Sequence, residues 1–93
     1  MTEGLRIART TPEFTHESTP LGLRRAHKVA DDVWGRLCAR KGELSFVFED
    51  SDLGPVLVTT GNWVDIPPDT PHHVVTSPGS AFVVEFWVVP SRV

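Results

Sequence analysis

The sequence holds little of what disulfide scaffolds, membrane proteins and nucleic-acid-binding proteins require. Cys38 is the single cysteine, so an intramolecular disulfide and a cysteine-based zinc site are both excluded. No apolar run reaches the length of about 18 residues that a membrane helix needs, and residues 1–14 contain no apolar leader segment. We therefore expect no membrane partner and a cytoplasmic location. The net charge of −3 argues against nucleic acid as a partner.

Motifs of the common enzyme classes are also missing. The sequence contains no glycine-rich phosphate loop, no nucleophile elbow and no spacing typical of a Ser-His-Asp triad. No stretch combines a 3.6-residue apolar period with helix caps. The composition, 40% hydrophobic and 23% charged, is that of an ordinary globular protein. We therefore expect one small domain, residues 1–93, without long helices.

Short apolar segments are present instead, and glycine, proline and aspartate separate them. This pattern predicts an all-β sandwich or barrel. Residues 1–20 are predicted to be an extended N-terminal arm, anchored in the core by Phe14, and residues 21–89 to be a β-barrel core. The predicted strands lie near 22–29, 34–40, 43–49, 55–60, 63–66, 72–77 and 81–89.

The predicted last strand is apolar on both faces, which is typical of a central strand or of a two-layer closure. Ala81, Val83 and Trp87 share one face with Glu85. A carboxylate on an otherwise apolar face must be paired, hydrogen-bonded or bound to a metal. Glu85 is therefore a candidate functional residue.

The segment from Gly61 to Val75 is predicted to be a strand, a proline-rich turn and a second strand. Pro67 and Pro68 remove two successive backbone donors, so the first strand must end there. Asp69 tolerates a left-handed turn conformation. His72 then opens the second strand on the face opposite to His73. An imidazole fixed at the start of a strand is a suitable metal ligand.

His27, His72 and Glu85 are the best candidates for a metal site. Two imidazoles and a carboxylate are a common ligand set for zinc and for non-haem iron. If strands 72–77 and 81–89 pair through the turn at residues 78–80, His72 and Glu85 can project into one cavity. The alternatives are a solvated His27 in a basic strand and a buried Glu85 paired with an arginine.

Arg36, Cys38 and Arg40 are predicted to share one face of a strand, since they alternate along it. Two interpretations are open. The two cations could lower the pKa of the thiol and make it reactive. Alternatively, the row is a solvated strand face with a passive cysteine.

Gly61, Pro67, Asp69 and His72 together resemble the second sequence motif of the cupins, with its spacing intact. Asp69 stands where cupins usually have glycine. The positions of the first cupin motif hold no histidine, and Gly35 stands at its glutamate position. The resemblance therefore implies a variant branch of the cupins.

The chain further resembles the small cupins of the tellurite-resistance TehB/YeaR-like family over roughly residues 12–89. The residues that carry this resemblance are Glu13-Phe14, His27, Trp34-Gly35, Gly42-Glu43-Leu44, Ile66-Pro67-Pro68, His72 and Val84-Glu85-Phe86. It implies a single-domain cupin, which is a double-stranded β-helix or jelly-roll barrel. It also implies that His27, His72 and Glu85 bind a divalent metal ion, which could be Zn, Fe, Mn or Ni. Because a short open barrel leaves strand edges to cover, we expect a homodimer.

Three functional hypotheses follow. The first is a divalent-metal-binding protein of this family that acts in a stress response to oxyanions or reactive nitrogen, with a small molecule or oxyanion as ligand. The second is a metal-dependent small-molecule enzyme of the dioxygenase or isomerase type. The third is a metal-free ligand-binding or dimerisation module whose histidines only form hydrogen bonds.

Overall fold

The last strand is the centre of the larger of two β-sheets. The computed structural model describes residues 1–24 and 32–90. Strand β8 (Ala81–Val88) pairs on one side with β3 (Trp34–Lys41), which in turn pairs with β6 (Trp63–Ile66). On its other side β8 pairs with β1 (Arg6–Thr10) and β2 (Phe14–Thr15). All these ladders are antiparallel. Because β8 is paired on both sides, it is a central strand, which was one of the two alternatives that its apolar faces predicted.

Within the described residues, the smaller sheet contains three strands in the order β5, β4, β7, and it is also antiparallel. These strands are β4 (Glu43–Phe48), β5 (Val56–Thr59) and β7 (His72–Thr76). A 3-10 turn, Leu21–Arg24, lies before β3 in the chain. No helix in the described part of the chain is long and apolar enough to cross a membrane.

The core lies between the two sheets, because alternate residues of each strand point inward. Phe46 on β4 and Phe82 on β8 are completely buried. Burial of one such side chain stabilises the fold by about 1.5–3 kcal/mol. The buried residues that form the core cluster are Leu37, Ala39, Leu44, Phe46, Val58, Ile66, Val74, Phe82 and Val84.

The N-terminal arm is part of the larger sheet rather than a separate extension. Beyond β1, the amide of Thr11 donates to the carbonyl of Val84 at 2.9 Å, and the amide of Val84 donates to Thr11 Oγ1 at 3.0 Å. The ring of Phe14 packs against the ring of Phe82 with 5.7 Å between centroids. Phe14 is therefore the anchor that the sequence predicted.

The all-β class is confirmed, and six of the predicted strands are present at nearly the same bounds. The strand predicted near 22–29 is wrong in its first part, since residues 21–24 form the 3-10 turn. The remainder of that strand lies outside the described residues. No ladder joins the two sheets over residues 1–24 and 32–90, so they form an open sandwich, which was one of the two predicted architectures, and the β-barrel core predicted for residues 21–89 is not a closed barrel there.

The predicted pairing of the strands 72–77 and 81–89 is wrong as well. β7 pairs with β4 and β8 pairs with β3, so the turn at residues 78–80 connects one sheet to the other. The physical reason is that each strand contributes buried apolar side chains from its own sheet, Val74 on β7 and Phe82 and Val84 on β8. Facing sheets bury such side chains against each other in one core.

Gly42 lies where the turn between β3 and β4 meets the turn between β7 and β8. Its φ is +62°, a left-handed conformation that costs little only for glycine. A Cβ atom at this position would lie 3.3 Å from the carbonyl oxygen of Gly79 and 3.3 Å from Cα of Ser80. Both contacts are with backbone, which cannot rotate away.

We expect Gly42→Ala to destabilise the domain by about 2 kcal/mol or more, from backbone strain together with this steric conflict. Gly54→Ala is the matched control, since Gly54 has φ +74° and open space around it. It should cost only about 1 kcal/mol. Urea denaturation of both variants measures the difference, and equal losses would show that the close approach contributes nothing.

Candidate functional site

A cavity of about 370 Å³ lies between the two sheets and is open at the N-terminal arm. Its floor is apolar and comes from β3, β4, β6, β7 and β8. Its mouth comes from the end of β1, the segment after it and the 3-10 turn. The lining residues are Arg9, Thr11, Pro12, Phe14, Pro20, Gly22, Leu23, Leu37, Phe46, Ile66, His72, Val74, Val84 and Phe86. A largely apolar concave site with a few polar groups is typical of small-molecule binding.

Among the described lining residues, His72 is the buried polar group, with 2% of its surface exposed. The proline-rich turn before it ends β6, and Asp69 there has φ +55°, the left-handed conformation that the sequence predicted. β7 then begins with His72 on the inner face, while His73 points outward and contacts Glu49. This confirms the predicted faces of the two histidines.

Contacts with Phe46 and with the backbone of Thr70 hold the ring of His72. It stacks on Phe46, with 4.9 Å between centroids and 24° between planes. Its Nδ1 lies 2.8 Å from the carbonyl oxygen of Thr70. Because a carbonyl only accepts hydrogen bonds, Nδ1 must donate, and in the neutral ring Nε2 then carries the lone pair. This hydrogen bond therefore determines the neutral tautomer of His72, in which Nε2 is an acceptor or a metal-binding atom.

Glu85 lies on the opposite face of the larger sheet. Its Oε1 accepts a hydrogen bond of 3.1 Å from Nε1 of Trp87, and its register partner on β3 is Arg36. It lines a second, shallower depression of about 210 Å³ together with Cys38, Arg40 and Trp63. Glu85 is thus half-buried and hydrogen-bonded to Trp87, and over the described residues it forms no ion pair with Arg36, so the predicted buried pair with an arginine is not formed there.

The structure therefore does not bring His72 and Glu85 together. Because β8 alternates, Val84 and Phe86 line the cavity of His72, whereas Glu85 points away from it. His27, the third predicted ligand, lies outside the described residues. Over residues 1–24 and 32–90, no group of three or more His, Cys, Asp or Glu side chains could hold a metal ion. The metal site stays a prediction.

The mouth of the cavity contains residues that the sequence did not single out, namely Arg9, Thr11 and Leu23. The guanidinium of Arg9 lies over the ring of Phe86, with 4.7 Å between Cζ and the centroid. Residues 6–10 show no apolar alternation that would have predicted β1, and all five side chains of that strand are exposed.

The outer face of the larger sheet is dominated by Arg36. Its Nε donates to Asp65 Oδ1 at 2.7 Å, and its Cζ lies 5.2 Å and 5.3 Å from the ring centroids of Trp63 and Trp87. Burial and the nearby Glu85 raise the pKa of the Cys38 thiol, and together they outweigh Arg36 and Arg40, which lower it. The structure therefore favours the passive cysteine over the reactive thiolate.

Two facing antiparallel sheets with an apolar cavity between them define the class of this protein: a small single-domain β-sandwich with an interior ligand-sized pocket. A family model of the TehB-like domain matches residues 9–84. The chain belongs to the TehB-like domain family. The family resemblance seen in the sequence is thereby confirmed.

Solved structures share the fold. A protein from Escherichia coli K12 superposes with a TM-score of 0.88 at 19% identity, over 98% of this chain and 97% of that one. TehB from Haemophilus influenzae superposes with a TM-score of 0.84 at 22% identity, over 96% of this chain but only 33% of its own. This chain therefore spans about a third of that TehB. No curated protein sequence matches the chain.

We expect Cys38 to react slowly with iodoacetamide at pH 8, because a raised pKa leaves a smaller fraction of thiolate. Native protein should be alkylated several-fold more slowly than protein unfolded in urea, as followed by intact mass. Glu85→Gln should accelerate the native reaction, since it removes a neighbouring negative charge. Glu43→Gln, on the other sheet, is the control. A native rate equal to the unfolded rate would contradict the raised pKa.

Proposed function

We propose that this domain is a small-molecule-binding module that holds its ligand in the cavity between the two sheets. The single observation that carries the proposal is the cavity of about 370 Å³, which has an apolar floor and a buried imidazole. Natural ligand sites have volumes of roughly 300–1,000 Å³ and the same combination of apolar walls and few polar groups.

The walls supply most of the binding free energy in this proposal, and His72 supplies orientation. Phe14, Phe46 and Phe86 contribute three aromatic rings to the lining. Apolar ligand surface buried against them gains about 25 cal/mol per Å². His72 is held by Thr70 and Phe46, so its Nε2 has a fixed position relative to a bound ligand.

Membership of the TehB-like family supports a role for this binding in a stress response. Three finer elements of the proposal rest on the sequence resemblance alone. These are the cupin type of jelly roll, a response to oxyanions or reactive nitrogen, and a homodimer. The exposed side chains of the edge strand β5, Val56 and Leu57, offer an apolar edge for such a dimer.

The second candidate function is binding of a divalent metal ion at His72. The observation that favours it is the contact from Nδ1 of His72 to a backbone carbonyl, since metal-binding histidines commonly donate their other N–H in this way. The described lining holds this one imidazole and no carboxylate, so it does not form a ligand set by itself. His27 would have to complete it. The hypothesis of a metal-dependent enzyme also requires a complete metal site, so it depends on this second candidate function.

We expect a neutral aromatic probe, 3-phenylpropionamide, to bind in the cavity of the wild-type domain. Amide shift perturbations in a heteronuclear NMR titration should cluster around Phe46, Val74 and Val84. Leu23→Trp should abolish these shifts, because a larger side chain at the mouth fills the entrance.

Leu21→Trp is the matched control, since Leu21 lies on the same 3-10 turn but is 61% exposed and does not line the cavity. It should leave the titration unchanged. Perturbations that instead cluster around Cys38 and Trp63 would place binding on the outer face and contradict the proposal.

For the metal, we expect elemental analysis of untagged protein to give about one ion per chain if His72 is a ligand, and its loss in His72→Ala. Occupancy should fall between pH 8 and pH 5, because histidine ligands must be neutral and protonate near pH ~6.5. Glu85→Gln should keep the metal, since Glu85 lies on the other face of the sheet.

His73→Ala is the control for the histidine, because its side chain is on the outer face of β7. Circular dichroism checks that each variant is folded. Absence of metal from wild type after reconstitution would remove this second candidate and leave the ligand-binding proposal intact.

A further inference from the structure

A β-bulge in β1 places the exposed Arg9 at the mouth of the cavity. Ile7 is the partner of Trp87, and Arg9 is the partner of Phe86, so two steps along β1 correspond to one step along β8. Without this shift, Arg9 would be the partner of Glu85 and would lie on the outer face of the sheet. Bulges commonly redirect a side chain in this way next to functional sites.

From this geometry we propose that the cavity selects a ligand with an apolar body and one carboxylate, and that Arg9 binds the carboxylate. The inference rests on the proposed function, which it deepens by naming the class of ligand. An arginine presents two parallel N–H groups that match the two oxygens of a carboxylate.

The charges around the cavity agree with an anionic ligand. The chain has a net charge of −3, yet no aspartate or glutamate lines the cavity, and Arg9 is its one charged lining residue over the described ranges. Within the same ranges, Arg9 forms no ion pair with a carboxylate. Its contact with the ring of Phe86, at 4.7 Å, holds the guanidinium at the mouth without neutralising it.

The apolar walls restrict the ligand further. A small inorganic oxyanion would lose its hydration against the side chains of Phe14, Leu37 and Val84, and that desolvation is unfavourable. A carboxylate joined to an aromatic or branched aliphatic body avoids this loss. Its body occupies the floor near His72, while its charge stays at the mouth beside Arg9.

The test compares 3-phenylpropionate with its neutral amide, 3-phenylpropionamide, by calorimetric or NMR titration. Wild type should bind the carboxylate more tightly than the amide by roughly fivefold to tenfold, the contribution of a partly exposed charge-assisted contact. Arg9→Gln should reduce this ratio to about one. Arg9→Lys should give an intermediate ratio, because lysine keeps the positive charge but cannot form two parallel hydrogen bonds to a carboxylate.

Arg6→Gln is the matched control, since it removes the same charge from the same strand but Arg6 does not line the cavity. It should keep the wild-type ratio. A ratio that is unchanged in Arg9→Gln, or equal affinities in wild type, would overturn the role of Arg9 while the proposed function stands. Failure of wild type to bind either probe or an inorganic oxyanion in the cavity would overturn the proposed function itself. Tight binding of inorganic tellurite or nitrite in the cavity, without binding of either probe, would overturn only the class of ligand.

Discussion

The two-sided pairing of β8 is the constraint on which the rest of this structure depends. β8 is hydrogen-bonded to β3 on one side and to the N-terminal strands on the other, so it cannot rotate about its axis. Its alternation then assigns each side chain to one face. Phe82, Val84 and Phe86 pack toward the smaller sheet, while Glu85 and Trp87 face outward. A shift by one residue would exchange the two sets and put a carboxylate into the core.

The same constraint separates the charged groups of the larger sheet. On its outer face, Arg36 lies between Trp63 and Trp87 and pairs with Asp65, so its charge is balanced and its aliphatic stem covers apolar surface. On the inner face, the bulge in β1 leaves Arg9 beside Phe86 at the mouth of the cavity. On the outer face of the larger sheet, Arg36 is therefore paired with a carboxylate. On the inner face, Arg9 is a cation at the edge of the sheet.

Strand positions and residue faces were predictable because they depend on local chemistry. Pro67 and Pro68 must end a strand, and Asp69 in the turn is among the residues that accept a positive φ, so the inward direction of His72 could be deduced from sequence. Phe14, the one Phe, Trp or Tyr among residues 1–20, was recognised as the anchor of the arm. Glu85 was recognised as exceptional because it is a carboxylate on an apolar strand.

The pairing of the strands was not predictable in the same way. A short turn between two strands suggests a hairpin, yet β7 and β8 belong to different sheets, and their buried residues Val74 and Phe82 meet in the core between those sheets. The prediction that His72 and Glu85 meet depended on that hairpin. Arg9 was missed for a related reason: a bulge changes which face a residue occupies, and nothing in the residue types around Ala8 indicates one.

The sequence by itself determined the all-β class, the ends of most strands, the direction of His72 and the family, since propensities, proline chemistry and side-chain alternation act between near neighbours in the chain. The tertiary structure alone decided which strands pair, where the cavity lies and on which side of the sheet Arg9 and Glu85 stand. These features depend on contacts between residues far apart in sequence, such as those between β1 and β8. Their free energy comes from burying the two sheets against each other, and local residue types do not encode it.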